Sequence, residues 1–213
     1  GDGMEAGGMK RSWRVWLNRL GPILGLLAIY GLFTLIGPGS FSTGRNLETI
    51  ARQSTIVGTA ALGMTLVIIL GGIDLSVGSV IALSTVVIAA LLQGELPPIV
   101  AVLGGLGAGL ICGLLNGLLI TRLRMVPFIV TLGTLLVVRG AAKGLAHEQK
   151  IDAPLTWINQ LLAALGPDRR WMLVPPGVWL LLLLAVFVAF LLRYTRFGRH
   201  VRAVGSNELT ARL

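Results

Sequence analysis

The chain has 213 residues, of which 54% are hydrophobic and only 13% charged, with a mean hydropathy of +0.84. A soluble domain carries about 25% charged residues, so this composition excludes an ordinary water-soluble enzyme or binding domain. The net charge of +9 comes from Arg and Lys gathered between apolar runs, the pattern of topology signals rather than of nucleic-acid binding.

In chain order, residues 1–19 are polar and carry Lys10, Arg11, Arg14 and Arg19. The first apolar run is 20–37, followed by a turn at 38–46. The second run, 47–70, begins amphipathic with Glu48 and Arg52 and ends ALGMTLVIIL. Further runs cover 79–93, 98–120, 126–145 and 174–192, separated by GELPP, by TRLRM and by a polar stretch at 146–173. About 20 apolar residues cross a bilayer core of about 30 Å. Continuous runs read as helices, and lipid leaves no other open structure for the backbone. The prediction is an all-α polytopic membrane protein with about six transmembrane helices. Its parts are a basic cytoplasmic N-terminus (1–19), a transmembrane domain (20–192) and a cytoplasmic segment (193–213).

Placing residues 1–19 in the cytoplasm puts TRLRM and the terminal Arg193, Arg196, Arg199 and Arg202 there too, as the positive-inside rule asks. The 146–173 loop then lies outside although it carries Lys150, Arg169 and Arg170. Within it Leu155, Ile158, Leu161, Leu162 and Leu165 recur at helical spacing beside Trp157, which predicts a short helix on the membrane surface or a lid.

No phosphate loop, H-E-x-x-H, C-x-x-C or G-x-S-x-G is present, and His147 and His200 lack partners at ligand spacing. The sequence therefore offers no catalytic, cofactor or metal site. Cys112 is the sole cysteine, so no intrachain disulfide forms. Gly105, Gly109, Gly113 and Gly117 recur every four residues and mark one helix side for close packing. Asn116 beside them is placed to hydrogen-bond across that contact or to meet a solute.

The stretch GGIDLSVGS (71–79) puts Asp74 inside an apolar region, where a charge costs about 3 kcal/mol or more. Three readings stand. Asp74 lies at the wet end of a helix; or it caps the next helix, with Gly71 and Gly72 releasing the chain from the last; or 71–79 is a broken segment beside a transport path, with Asp74, Ser76 and Ser79 facing solute.

This stretch, then GAGLICGLLNGLLITRLRMVPFIVTLGTLLVVRG (107–140) and TRFGRHVRAVGSNELTARL (195–213), resemble the ribose/xylose-type sugar ABC importer permeases, from about residue 45 onward. The resemblance implies a permease subunit in the bacterial cytoplasmic (inner) membrane that carries a monosaccharide by alternating access. It implies a cytoplasmic ABC ATPase that hydrolyses the ATP, an extracytoplasmic sugar-binding protein and a second permease subunit, as a homodimer. It also places an ATPase-coupling helix on Gly198, Arg199, Arg202, Ala203, Gly205, Asn207, Ala211 and Arg212, with Ser206 or Asn207 as a helix cap. Family members continue through more crossings, so the chain reads as C-terminally truncated. Related permeases for inositol, nucleosides or branched-chain amino acids, and a secondary transporter, are the alternatives. The single buried acid Asp74 counts against an ion-coupled carrier.

Overall fold

A computed structural model describes residues 3–206, with side chains from Leu20 onward. All its regular elements are helical. The chain divides into two compact units, Gly1–Ile50 and Ala51–Leu213.

In the first unit α1 (Gly3–Ile36) runs unbroken from the basic segment into the first apolar run, through Pro22. The Phe41 ring in the following turn lies against Tyr30 and Phe33, with centroids 5.3 and 5.8 Å apart. The Asn46 amide donates to the Phe41 carbonyl at 2.7 Å, which fixes the turn.

The remaining α-helices are α2 (Gly44–Ile69), α3 (Val77–Gln93), α4 (Pro98–Arg122), α5 (Pro127–Leu145), α6 (Trp157–Gln160), α7 (Pro176–Tyr194) and α8 (Arg196–Ser206), with a 3-10 helix at Pro167–Met172. The boundaries of α2, α3, α4, α5 and α7 follow the apolar runs to within about three residues. The helices α4, α5 and α7 each have proline in the first turn, where its missing N–H costs nothing. Four helices are long and apolar enough to span a bilayer, and Leu20–Ile36 and Val77–Gln93 are shorter apolar helices. The protein is a multi-pass membrane protein.

Glycine sets the closest helix approaches. A Cβ on Gly105 would lie 2.5 Å from Ile88 Cγ1 and 3.0 Å from the Ser84 carbonyl, so α3 rests on the α4 backbone. Gly109 makes ordinary contact with Ser84 and Val80, while Gly113 and Gly117 face open space. Half of the predicted stripe is thus used within the second unit. Gly58 does the same for α2 against Leu181 of α7, at 2.8 Å.

The helix expected over 155–165 is one turn long. Thr156 and Asn159 form a reciprocal capping box that starts α6. Two carbonyls that would continue it are engaged elsewhere. Leu161 accepts from the Gly177 N–H at 2.7 Å, and Leu162 from Arg52 Nε at 2.6 Å. These bonds fasten the loop to the start of α7 and to α2 instead.

Candidate functional site

The α2–α3 break is narrower than the predicted 71–79. Helix α2 stops at Ile69 and α3 resumes at Val77, so Val77, Gly78 and Ser79 are helical. The stop is a Schellman motif: Gly71 N–H bonds the Ile68 carbonyl at 2.9 Å and Gly72 N–H the Val67 carbonyl at 3.0 Å. Gly71 sits at φ +79°, a conformation in which a side chain is strained.

Asp74 does not cap α3. The N-cap is Ser76, whose side chain makes no capping bond. The Asp74 carboxylate instead accepts from the Ser76 N–H at 2.7 Å and from the Ser76 hydroxyl at 2.6 Å, closing an Asx turn that leads into the helix. Ser76 is fully buried, and its hydroxyl also accepts from Asn116 Nδ2 of α4 at 3.1 Å. Asn116 Oδ1 accepts from the Thr134 hydroxyl of α5 at 2.6 Å. One polar chain, Asp74–Ser76–Asn116–Thr134, therefore ties the break to α4 and α5. Alongside it, Thr131 Oγ1 of α5 donates to the Ile73 carbonyl at 3.2 Å. Ser79 stands one turn further along α3. Its hydroxyl is the only buried side-chain polar atom among the described residues without a hydrogen-bond partner.

The start of this chain of bonds was legible from Asp74 and Asn116. Thr131 and Thr134 were missed, since each reads as an ordinary polar residue in an apolar run. Their signal was spacing: they lie three residues apart on one helix side, directly after a Pro-started helix.

At the same end of the unit, α7 turns into α8 at Thr195. The Thr195 hydroxyl accepts from the Gly198 N–H at 3.2 Å and donates to the Leu191 carbonyl at 2.6 Å. A Cβ on Gly198 would strike the carbonyls of Leu191 and Leu192, and one on Gly205 the carbonyl of Ile69. Gly198 and Val201 are buried, while Arg196, Arg199, His200, Arg202 and Ala203 are exposed. The short helix thus turns one side to the ends of α7 and α2 and leaves a basic side uncovered. Ser206, expected as a cap, is the last residue of α8. Asn207, Ala211 and Arg212 lie outside the described residues.

At the opposite end, α3, α5 and the turn after α5 line an open pocket of about 430 Å³, with the exposed Arg139, Lys143, Glu148 and Gln149 on its polar side. Arg139 went unnoticed in the sequence because an arginine near the end of an apolar run reads as a topology signal. No cluster of His, Cys, Asp and Glu able to hold a metal occurs among the described residues.

A bundle of apolar helices with one interrupted segment and a short amphipathic helix at its end defines a polytopic membrane protein. Residues 46–213 match the family described as the permease component of the branched-chain amino acid transport system, and the chain belongs to that family. It is 32% identical over 200 residues to the ribose import permease protein RbsC of Escherichia coli K12, covering 94% of this chain and 62% of that protein. It is 37% identical to the ribose import permease protein RbsC of Bacillus subtilis 168, covering 92% and 59%. It is 35% identical to the L-arabinose ABC transporter permease protein AraH of Azospirillum brasilense, covering 93% and 58%. The chain spans about three fifths of the length of these relatives. No solved structure matches it.

Proposed function

We propose that the chain is the membrane-spanning part of a permease subunit in a binding-protein-dependent importer, and that its solute is a monosaccharide. The observation that carries this is the likeness, over nearly the whole chain, to permeases named for ribose and arabinose. The family's own description names branched-chain amino acids, which keeps an amino acid as the second solute to test.

In this reading the permease sits in the bacterial inner membrane. A binding protein delivers sugar from outside, an ATPase subunit acts inside, and two permease subunits switch between outward- and inward-open states. ATP binding drives the switch only through different affinities for those states. The exposed basic side of α8, with Arg199, Arg202 and Ala203, receives the ATPase. Gly198 and Gly205 seat that helix against α7 and α2, so a push on α8 reaches the end of α2. From there the Asp74–Ser76–Asn116–Thr134 chain of hydrogen bonds carries the displacement to α3, α4 and α5. Ser79 extends the polar side of α3 beyond the break.

The test is uptake of labelled D-ribose, L-arabinose, D-fructose and L-leucine by membrane vesicles holding the permease with its ATPase and binding protein. One of the sugars is expected to be taken up in an ATP-dependent manner. In Asp74→Leu that uptake falls while ATPase recruitment survives, because the Asx turn is lost and α8 is untouched. Normal sugar uptake by Asp74→Leu removes the role given to the turn, and uptake of leucine alone removes the sugar.

A further inference from the structure

We infer that the cavity between α3 and α5 is a sugar subsite, in which Arg139, Glu148 and Gln149 hold hydroxyl groups of the solute; this deepens the permease reading and rests on it. Three observations carry the inference.

The first is the space. Alanines at 82, 142 and 146, with Val86, make the apolar wall of the ≈ 430 Å³ cavity. That size falls in the range of small-molecule sites, roughly 300–1,000 Å³. The short side chains at 82, 142 and 146 leave this space between α3 and α5.

The second is unspent polarity. Arg139 and Lys143 stand one turn apart on α5, and neither makes a hydrogen bond or ion pair through its side chain among the described residues; the single ion pair there joins Lys150 to Asp152. Arg139 lies six residues before the end of α5, about 9 Å below it. Arg139, Lys143, Glu148 and Gln149 are all exposed, so their polar groups are open to a ligand entering the space. Glu148 and Gln149 bring a carboxylate and a carboxamide to the mouth of the same space.

The third is how Glu148 gets there. Helix α5 ends with Glu148 N–H on the Lys143 carbonyl at 2.9 Å and His147 N–H on the Gly144 carbonyl at 3.1 Å. His147 and Glu148 both take positive φ, 50° and 57°. This is a Schellman stop of the same pattern as at Gly71 and Gly72, with His147 in the left-handed position. The turn folds Glu148 back beside the cavity.

A guanidinium, a carboxylate and a carboxamide are planar groups that pair with vicinal hydroxyls, and the alanine wall suits the C–H face of a sugar ring. The mixture of one acid, two bases and one amide fits a neutral polyol better than a phosphate, which Glu148 would repel.

The test uses Ala146→Cys in the assembled importer, since Cys112 is buried and leaves the introduced thiol as the reactive one. D-ribose, L-arabinose and D-fructose are each added during maleimide labelling, and uptake kinetics are measured for Arg139→Gln and Glu148→Gln. The transported sugar is expected to slow labelling of the introduced thiol. Arg139→Gln is expected to raise KM by about tenfold, the value of one hydrogen bond to a charged group, with thermal unfolding unchanged. Glu148→Gln, on an exposed turn, repeats the KM effect should Arg139→Gln fail to fold. Wild-type uptake with no protection by any sugar and unaltered KM in both variants overturns the subsite and leaves the permease standing; a lipid headgroup in the cavity gives this result. Protection without uptake keeps the subsite and overturns the permease. Neither protection nor uptake overturns both.

Discussion

The two ends of the helix bundle formed by α3, α4 and α5 use polar residues in opposite ways. Beside the α2–α3 break, Ser76, Asn116, Thr131 and Thr134 satisfy one another and the backbone at 2.6 to 3.2 Å, and Ser76, Asn116 and Thr131 are buried. At the far end the side chains of Arg139, Lys143 and Glu148 border open space without partners among the described residues. Polar groups that are mutually satisfied in a low-dielectric interior hold helices together; polar groups left unsatisfied in a cavity are available to a ligand. One end is therefore a clasp that ties the α2–α3 break to α4 and α5, and the other a mouth between α3 and α5.

The strongest way to break this comparison acts just beyond the clasp. Gly198→Ala places a Cβ against the backbone carbonyls of Leu191 and Leu192, which have no side-chain freedom with which to yield. The expected cost is about 3 kcal/mol, the upper end of the overpacking range. It is read as a lowered unfolding temperature in bilayers and as protease cleavage at α8. If Gly198→Ala matches the wild type in both, α8 is not seated as described.

Ser76→Ala comes next. Ser76 is the junction of the clasp, donating to Asp74 and accepting from Asn116. Its loss leaves the Asn116 amide without that acceptor in the interior, at a cost of about 1–3 kcal/mol. Unfolding temperature should fall by a few degrees, about 2–4 °C per kcal/mol for a chain of this size. An unchanged unfolding temperature in Ser76→Ala erases the difference between the two ends.

What the amino-acid order discloses differs between these ends for a physical reason. Lipid forces each crossing to be a continuous apolar run, so α3, α4, α5 and α7 were readable almost to the residue. The Gly71–Gly72 stop was readable because a left-handed position selects glycine. Asn116 was readable as a polar residue on a glycine-lined helix, yet its partners were not: Ser76 and Thr134 lie 40 and 18 residues away, and only the packing of three helices selects them. The surface helix over 155–165 was misread because periodicity cannot show that Arg52 and Gly177 claim the carbonyls that would extend it. Arg139 was passed over because its meaning depends on a cavity that small residues on two helices make jointly.

The smallest effect lies outside both ends, at the exposed Lys150–Asp152 pair, 2.5 Å apart. The Asp152 carboxylate raises the Lys150 amine above its ordinary 10.5, first by hydrogen bonding and then by charge attraction. For a base whose pKa is raised on folding, the stabilisation is fully present below the unfolded value and disappears as pH climbs through the folded one. The contribution is therefore flat across the neutral range and fades only above about pH 10.5. Both side chains are mostly in solvent, so screening takes most of it even there. Asp152→Asn should lower the Lys150 pKa, seen by NMR titration of the amine, and leave unfolding temperature and uptake at neutral pH unchanged. A drop in either would mean that the 150–152 segment bears on the mouth as Glu148 does, and the boundary of that end would move outward to include it.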